Sequence, residues 1–218
     1  MKSKLVEPKK RLFRKLKLEI GDERVMKAME RVPRELFVPP AHRHLAYEDI
    51  PLAIGEGQTI SQPFIVALMT SVLRLSSSEW VLEVGTGSGY QAAVLSHLVT
   101  EGRVVTVERV PALAHNAGEA LRSLGYSNVE VLTAGPTLGC PEKAPYDAII
   151  VTAASPKLPQ GLIDQMAVGG RMVIPIGTLE DQELVLAIRT SEGVSVSYMG
   201  LCRFVPLIGQ EAWPKSPL

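Results

Sequence analysis

Residues 80–177 alternate short apolar segments with segments whose apolar residues recur at helical spacing, and this alternation limits the possible folds most strongly. The apolar segments are WVLEV (80–84), RVVTVE (103–108), NVEVLT (128–133), YDAIIVT (146–152) and RMVIPIG (171–177). Nearly continuous apolar composition is typical of strands that are buried on both faces. Strands that alternate with helices form a parallel sheet with helices on both sides. The sequence therefore predicts an α/β, doubly wound, Rossmann-like fold.

The two ends of the chain depart from this alternation. Up to about residue 45 the pattern is helical, and the segment GDERVMKAMERV predicts a second helix that ends at Pro33. Beyond residue 177, QELVLAIRT and VSVSYMGLCRFVPL are strand candidates with no helix between them, which predicts an antiparallel pair at one edge of the sheet. We therefore expect one domain over 1–218, with a helical prelude (1–45), a connecting loop (46–62) and an α/β body (63–218).

The overall composition excludes several classes of protein. Lysine plus arginine and aspartate plus glutamate each number 23, so the formal net charge is zero. A balanced charge argues against non-specific nucleic-acid binding, which requires a basic surplus. No apolar run approaches the roughly 18 residues that span a bilayer, and segment 1–17 lacks the apolar stretch of a signal peptide. We expect a cytoplasmic, monomeric protein that binds neither nucleic acid nor membranes.

The N-terminal segment 2–17 is rich in lysine and arginine and contains one acidic residue, Glu7. It is either an arm that binds nucleic acid or a membrane, or a helix whose basic side chains face water. The second interpretation is favoured because apolar residues recur at helical spacing. The residues expected to pack inward are Leu12, Phe13, Leu16 and Ile20.

The cysteines and histidines predict neither a disulfide nor a metal site. Cys140 and Cys202 lie far apart without CxxC spacing, so free thiols in a reducing compartment are expected. His42 and His44 have no cluster of further ligands near them in the sequence.

A glycine-rich turn, VLEVGTGSGY, separates the first predicted strand from its helix. Glycines at 85, 87 and 89 allow a tight turn and a close approach to a ligand. A dinucleotide-binding turn would place its third glycine at position 90, which is Tyr90 here. Glu83 precedes the turn and suits an ammonium-bearing ligand, while Glu108 ends the second strand, where a carboxylate can hold ribose hydroxyls. Either acid can instead be a surface carboxylate at a strand end, but together they indicate a nucleoside cofactor.

The segment GEGQTISQP (55–63) precedes an apolar helix. Composition alone favours a simple loop with a helix cap. Pro63 suits the first position of a helix, which places Ser61 and Gln62 at the helix N-terminus. Helix N-termini attract anions, so an anionic ligand is the alternative.

The pattern E-x-G-x-G-x-G, followed by an acid at the end of the next strand, resembles the S-adenosylmethionine-dependent methyltransferases. Over nearly the whole chain the sequence resembles one family among them, the protein-L-isoaspartate O-methyltransferases. The segment GQTISQP is the most specific part of the resemblance. The shared segments are RVPRELFVP (31–39), AYEDIPLAIGEGQTISQP (46–63), VLEVGTGSGYQAAVLS (81–96), VVTVER (104–109), APYDAIIVTAA (144–154), LIDQMAVGGRMVIPIG (162–177) and RFVPL (203–207).

This resemblance implies methyl transfer from S-adenosylmethionine to the α-carboxylate of isoaspartyl residues in damaged proteins and peptides. It makes 46–62 the substrate loop and Ser61 the catalytic serine, as an orienting hydrogen-bond donor rather than a nucleophile. It implies substrate-binding residues Thr59, Ile60, Gln62, Val205 and Leu207. It implies cofactor-binding residues Thr59, Ser61, Glu83, Gly85, Thr86, Gly87, Glu108 and Arg109.

The sequence departs from the family pattern at one place. Before TLG the family usually has Gly-Asp-Gly, whose acid contacts the adenine amino group, whereas this chain has Ala134, Gly135 and Pro136. Gly135 has no side chain that accepts this bond. Two alternatives therefore stay open: a methyltransferase that acts on another acceptor, and a nucleoside-binding or scaffold protein that has lost catalysis.

Overall fold

The computed structural model describes the backbone of residues 2–214 and the side chains from residue 5 onward. Its α-helices are α1 (Lys2–Ile20), α2 (Glu23–Arg31), α3 (Pro63–Val72), α4 (Tyr90–Ser96), α5 (Pro111–Ser123) and α6 (Gln160–Asp164). Its strands are β1 (Leu52–Gly55), β2 (Gln58–Ile60), β3 (Trp80–Val84), β4 (Arg103–Glu108), β5 (Val129–Thr133), β6 (Tyr146–Val151), β7 (Met166–Gly177), β8 (Gln182–Thr190) and β9 (Gly193–Cys202). Short 3-10 helices span Arg34–Leu36, Pro40–Leu45 and Pro141–Lys143. Among the helices described, none is both long and apolar enough to cross a bilayer.

A seven-stranded sheet forms the centre of the molecule, in the order β5-β4-β3-β6-β7-β8-β9. Strands β5 to β7 in that order pair in parallel, and β8 and β9 add antiparallel pairs at one end. The chain leaves β3 toward β4 on one side and later returns through β6 on the other. The predicted doubly wound fold with an antiparallel edge is therefore confirmed, and its switch point lies between β3 and β6.

Alternate residues of the central strands are buried in two separate apolar clusters, one on each face of the sheet. In β3, Val81 belongs to the cluster that also contains residues of α1 to α5, whereas Leu82 belongs to the opposite cluster with α6. Both side chains are 0% exposed. This arrangement explains why the strand sequences are apolar at consecutive positions.

The predicted N-terminal helices form and pack on the first of these faces. In α1, Leu12, Phe13 and Leu16 are buried in the cluster, and Ile20 packs against it partly buried. From Lys10 onward the basic side chains of α1 are exposed. Arg11 pairs with Glu48 at 2.8 Å and Lys15 with Asp49 at 2.9 Å. Helix α2 begins at an N-cap, Asp22, whose carboxylate accepts from the N–H groups of residues 24 and 25.

The structure differs from the predicted elements in three places. Segment 46–62, expected to be a loop, contains the antiparallel hairpin β1–β2. Strand β7 begins at Met166 rather than at residue 171, so α6 is short and ends at Asp164. Strand β9 ends at Cys202, and RFVPL leaves the sheet edge, where the Phe204 N–H donates to Gln182 Oε1 at 2.6 Å. It pairs with the chain after β6 instead, where the Leu207 N–H donates to the Ala154 carbonyl at 2.7 Å.

Candidate functional site

The glycine turn follows β3 at the carboxyl edge of the sheet. Its glycines Gly85, Gly87 and Gly89 all have positive φ, of 98°, 53° and 87°. A Cβ atom on Gly85 would collide with the Thr152 hydroxyl, which donates to the Gly85 carbonyl at 2.6 Å. The turn therefore depends on glycine for its conformation and for the space beside β6.

Glu108, at the end of β4, holds the glycine turn through hydrogen bonds that its carboxylate accepts from main-chain N–H groups. Its Oε2 accepts from the Gly87 N–H at 2.8 Å, and its Oε1 accepts from the Val110 N–H at 2.9 Å. The side chain is 7% exposed, and the residue lines the cavity beside the turn. Each oxygen keeps a lone pair for a ligand donor, because a carboxylate accepts about four hydrogen bonds.

Glu83 lies beneath the turn and does not line the cavity. Its Oε2 accepts from the Thr106 hydroxyl at 2.5 Å, and Thr106 in turn bonds the Thr86 hydroxyl at 2.6 Å. Its Oε1 has no hydrogen-bond partner among the described residues. Burial raises the pKa of the Glu83 carboxyl to about 8, the Thr106 hydrogen bond opposes the shift, and the charge of Glu108 adds to it.

A cavity of about 520 Å³ opens at the carboxyl ends of β3 to β6. This is where ligands bind in open α/β sheets, and its volume suits a small organic molecule. Its lining combines the glycine turn, the ends of the strands and the C-terminal segment: Gln58, Val84, Gly85, Val107, Glu108, Arg109, Val110, Ala134, Gly135, Pro136, Thr137, Leu138, Gly139, Thr152, Ala153, Val205, Pro206, Leu207, Ile208, Gly209 and Pro214. We call it the turn cavity.

The hairpin β1–β2 covers the glycine turn. Its two central residues, Glu56 and Gly57, have φ of 53° and 67°, as a tight two-residue hairpin turn requires. Ile54 reaches the turn, since its Cδ1 lies 3.4 Å from the position of a Cβ atom on Gly87. Gln58 lines the turn cavity, so the hairpin forms part of its wall.

A second cavity, of about 610 Å³, lies on the other side of the hairpin. We call it the loop cavity. It is lined by Pro51, Thr59, Ser61, Gln62, Phe64, Ile65, Thr152, Leu179, Leu201, Cys202, Arg203, Phe204 and Val205. Thr152 and Val205 line both cavities, so the two spaces share a wall. The arrangement can bring two ligands together at one boundary.

The N-terminus of α3 lies at the loop cavity, but one of its N–H groups is already occupied. Gln62 is the N-cap and makes no capping bond with its side chain. Instead Asp49 Oδ1 accepts from the Phe64 N–H at 2.9 Å. Pro63 has no N–H, and the Val66 N–H bonds the Gln62 carbonyl. A carboxylate ligand at this terminus would therefore have the Ile65 N–H and the side chain of Ser61 as donors.

The structure distributes the residues implied by the resemblance over both cavities. Gly85, Glu108, Arg109 and Leu207 line the turn cavity, Thr59, Ser61 and Gln62 line the loop cavity, and Val205 lines both. Ile60 is 3% exposed and packs in the core. Thr86 is buried in the hydroxyl pair with Thr106, and Gly87 contacts Glu108 through its N–H.

Arg34 and Asp49 were not predicted as part of the site, yet both bond main-chain groups beside it. Arg34 is 1% exposed and bonds the Ser61 carbonyl at 2.8 Å. Asp49 caps α3 as described. Both residues lie within segments that the family resemblance includes, but nothing in their local sequence distinguishes them from surface charges.

Comparison with known proteins identifies the family of this chain. Residues 7–212 match the family model described as Protein-L-isoaspartate(D-aspartate) O-methyltransferase (PCMT). The chain belongs to the protein-L-isoaspartate O-methyltransferase family. A relative of that name from Methanoculleus marisnigri is 54% identical over 194 residues, which cover 89% of this chain and 87% of the relative. Another, from Hyperthermus butylicus, is 49% identical over 219 residues, covering 95% and 91%.

Solved structures of the same family share the fold. One protein-L-isoaspartate O-methyltransferase matches with a TM-score of 0.82 and 31% identity, over 94% of this chain and 67% of that one. A family member from Plasmodium falciparum, solved in complex with S-adenosyl-L-homocysteine, matches with a TM-score of 0.80 and 26% identity, over 90% and 96%.

Proposed function

We infer that this chain is an S-adenosylmethionine-dependent protein carboxyl O-methyltransferase that acts on the α-carboxylate of isoaspartyl residues in damaged proteins, the first step of their repair. The observation that carries this inference is the pair of cavities that share Thr152 and Val205. A methyl donor and an acceptor must meet at one boundary, and the two spaces adjoin there. Family membership supports the choice of donor and acceptor.

The turn cavity fits S-adenosylmethionine. The positive φ values of the glycine turn bring main chain to the cavity without side chains in the way. Glu108 is placed to accept from two ribose hydroxyls, and Arg109 lines the same space. Glu83 lies beneath the turn and supports it through the Thr106 and Thr86 hydroxyls. When bound, S-adenosylmethionine supplies an electrophilic methyl group on a sulfonium centre.

The loop cavity is proposed to hold the acceptor. Ser61 is half-buried at its wall, beside the N-terminus of α3. Thr59, Gln62 and Val205 complete the proposed contacts, Ile60 acts through the packing behind them, and Leu207 would contact the acceptor from the turn cavity. The acceptor carboxylate is already ionised at neutral pH. The protein therefore has no proton to remove, and it contributes by orienting the carboxylate oxygen and excluding water.

The cellular context is a further part of the proposal. Both cysteines are free thiols in the structure, which supports a reducing compartment such as the cytoplasm. Activity as a monomer is part of the same proposal. Isoaspartyl proteins and peptides are the proposed partners, and the balanced charge supports neither nucleic acid nor membrane as a partner.

Methyl transfer from isotopically labelled S-adenosylmethionine tests the function directly. The acceptors are an isoaspartyl peptide, the same peptide with a normal aspartyl residue, and small carboxylic acids. We expect base-labile label on the isoaspartyl peptide alone. Label on small acids instead would indicate a different acceptor. Binding without any transfer would indicate a nucleoside-binding protein that has lost catalysis.

A further inference from the structure

Arg34 is a buried arginine that joins the two ends of segment 46–62. Its Nε donates to the Ala46 carbonyl at 2.9 Å, and its Nη2 donates to the Ser61 carbonyl at 2.8 Å. These carbonyls lie at the start of the segment and near its end, with the hairpin β1–β2 between them. The planar guanidinium therefore fixes both ends of the segment that carries the proposed acceptor residues.

The same guanidinium also contacts the cofactor side of the site. Its Cζ lies 4.9 Å from the centroid of the Tyr90 ring, within the range of a cation–π contact. Tyr90 is the first residue of α4 and directly follows Gly89 of the glycine turn. Phe37 packs edge-on against this ring, with the centroids 5.8 Å apart. Arg34 thus connects Ser61 to the helix that the glycine turn begins.

A contribution to stability does not explain why a buried cation occupies this position. Burial lowers the pKa of the Arg34 guanidinium, opposed by its neighbours Tyr90, Tyr47 and Asp49. Its Nη1 has no hydrogen-bond partner among the described residues, and within the same residues no carboxylate lies at ion-pair distance from it. Burying such a charge is costly, and an apolar side chain of similar volume avoids that cost. An apolar side chain cannot, however, hold two carbonyls in a fixed geometry.

We propose that Arg34 is a positioning residue for methyl transfer: by bonding the Ala46 and Ser61 carbonyls and contacting the Tyr90 ring, it sets Ser61 relative to the glycine turn. The proposal rests on the proposed function. A displacement of about 1 Å between reacting groups can reduce turnover by about a hundredfold. Arg34 therefore controls turnover through Ser61 without touching either ligand.

The test compares Arg34→Lys with a matched control, Arg43→Lys. Lysine keeps the charge but has no planar fork for two carbonyls. Arg43 also donates through Nε to a main-chain carbonyl, that of Val38 at 3.2 Å, which lies outside segment 46–62. Three properties are measured: kcat for an isoaspartyl peptide, affinity for S-adenosylmethionine by calorimetry, and hydrogen–deuterium exchange of residues 58–62 in the ligand-free protein.

For Arg34→Lys we expect kcat to fall by about a hundredfold, faster exchange at residues 58–62, and unchanged cofactor affinity. Arg43→Lys should match the wild type in all three. Wild-type kcat in folded Arg34→Lys, or wild-type exchange at residues 58–62, would overturn the proposal. So would a loss of kcat that only matches the unfolded fraction measured by circular dichroism.

A second variant covers the case in which Arg34→Lys does not fold. Tyr90→Leu removes the ring under the guanidinium and leaves both carbonyl partners in place. Lower kcat with faster exchange at residues 58–62 is again expected, and wild-type values of both would contradict the positioning role. If wild-type protein does not methylate the isoaspartyl peptide, the proposed function fails, and the exchange measurements still decide whether Arg34 fixes the segment.

Discussion

Restoring an acid at Gly135 is the most informative perturbation of cofactor binding. Gly135 lines the turn cavity, and no atom lies within 4 Å of the position that its Cβ would take. Its φ is not positive, so an aspartate adopts this backbone without strain. The following residue, Pro136, favours an extended conformation here, which aspartate also accepts. The Gly135→Asp variant should therefore fold and present a carboxylate to the cavity.

The expected gain follows from one new hydrogen bond. A bond between an adenine amino group and a carboxylate is typically worth about 1.5–3 kcal/mol. This corresponds to a gain of about tenfold to hundredfold in affinity. Glu108 lines the same cavity and its negative charge disfavours a second carboxylate, whereas Arg109 favours it. We therefore expect a gain toward the lower end of this range.

Calorimetry with two ligands separates this bond from general electrostatics. S-adenosylmethionine is compared with an analogue that lacks the adenine amino group, on wild type, Gly135→Asp and a Gly135→Ala control. A gain for the first ligand alone, in the aspartate variant alone, supports the contact. Equal gains for both ligands would refute it, as would no gain in either Gly135→Asp or Gly135→Asp combined with Pro136→Gly. The chain would then recognise adenine without this acid.

Three further variants test the site and its electrostatics. Glu108→Ala should weaken S-adenosylmethionine binding by about tenfold to hundredfold, measured by calorimetry, because a carboxylate that accepts ribose hydroxyls is lost. Ser61→Ala should lower kcat/KM for an isoaspartyl peptide by a similar factor, with the free energy of unfolding changed by less than about 1 kcal/mol. Glu83→Gln should flatten the pH dependence of stability. The pKa of the Glu83 carboxyl is raised from 4.5 to about 8 in the folded protein, which therefore keeps a proton that the unfolded chain loses. The free energy of unfolding of the wild type consequently falls from pH 5 to pH 8.

Each of these variants has an outcome that would contradict its reasoning. Unchanged cofactor affinity in Glu108→Ala would remove Glu108 from the site, leaving it only the two main-chain bonds seen here. Full activity of Ser61→Ala would make that serine a part of the wall and nothing more. For Glu83→Gln, thermal unfolding between pH 5 and pH 8 is compared with the wild type. Parallel curves would show that the buried carboxyl titrates as it does in the unfolded chain.

The features that depend on local sequence pattern could be predicted, whereas those that depend on contacts between distant residues could not. Strands buried on both faces and a turn that needs glycine leave direct traces in the sequence, as β3 and Gly85 show. The hairpin β1–β2 was missed because its strands have only four and three residues, too few to show alternation. The burial of Arg34 depends on carbonyls 12 and 27 residues away, and nothing near it in the sequence marks it as buried.

Glu83 is a second residue whose surroundings depend on a distant part of the chain. Its position directly before the glycine turn was visible in the sequence, but its buried environment was not predictable. Thr106, which bonds it, belongs to the neighbouring strand, and the pairing of β3 with β4 places the two residues directly opposite each other. Register of this kind is a property of the assembled sheet rather than of either strand.

The position of the segment after β9 affects when a growing chain can first bind its cofactor. Val205, Leu207 and Gly209 line the turn cavity, and they follow all nine strands in the part of the chain that the structure describes. The Ala154 N–H and carbonyl, which bond Val205 and Leu207, cannot form these bonds until the segment has been added. A nascent chain that has reached only Cys202 contains every strand of the sheet but lacks part of the cavity wall. During synthesis, cofactor binding should therefore lag behind formation of the sheet and begin only after this segment has been added.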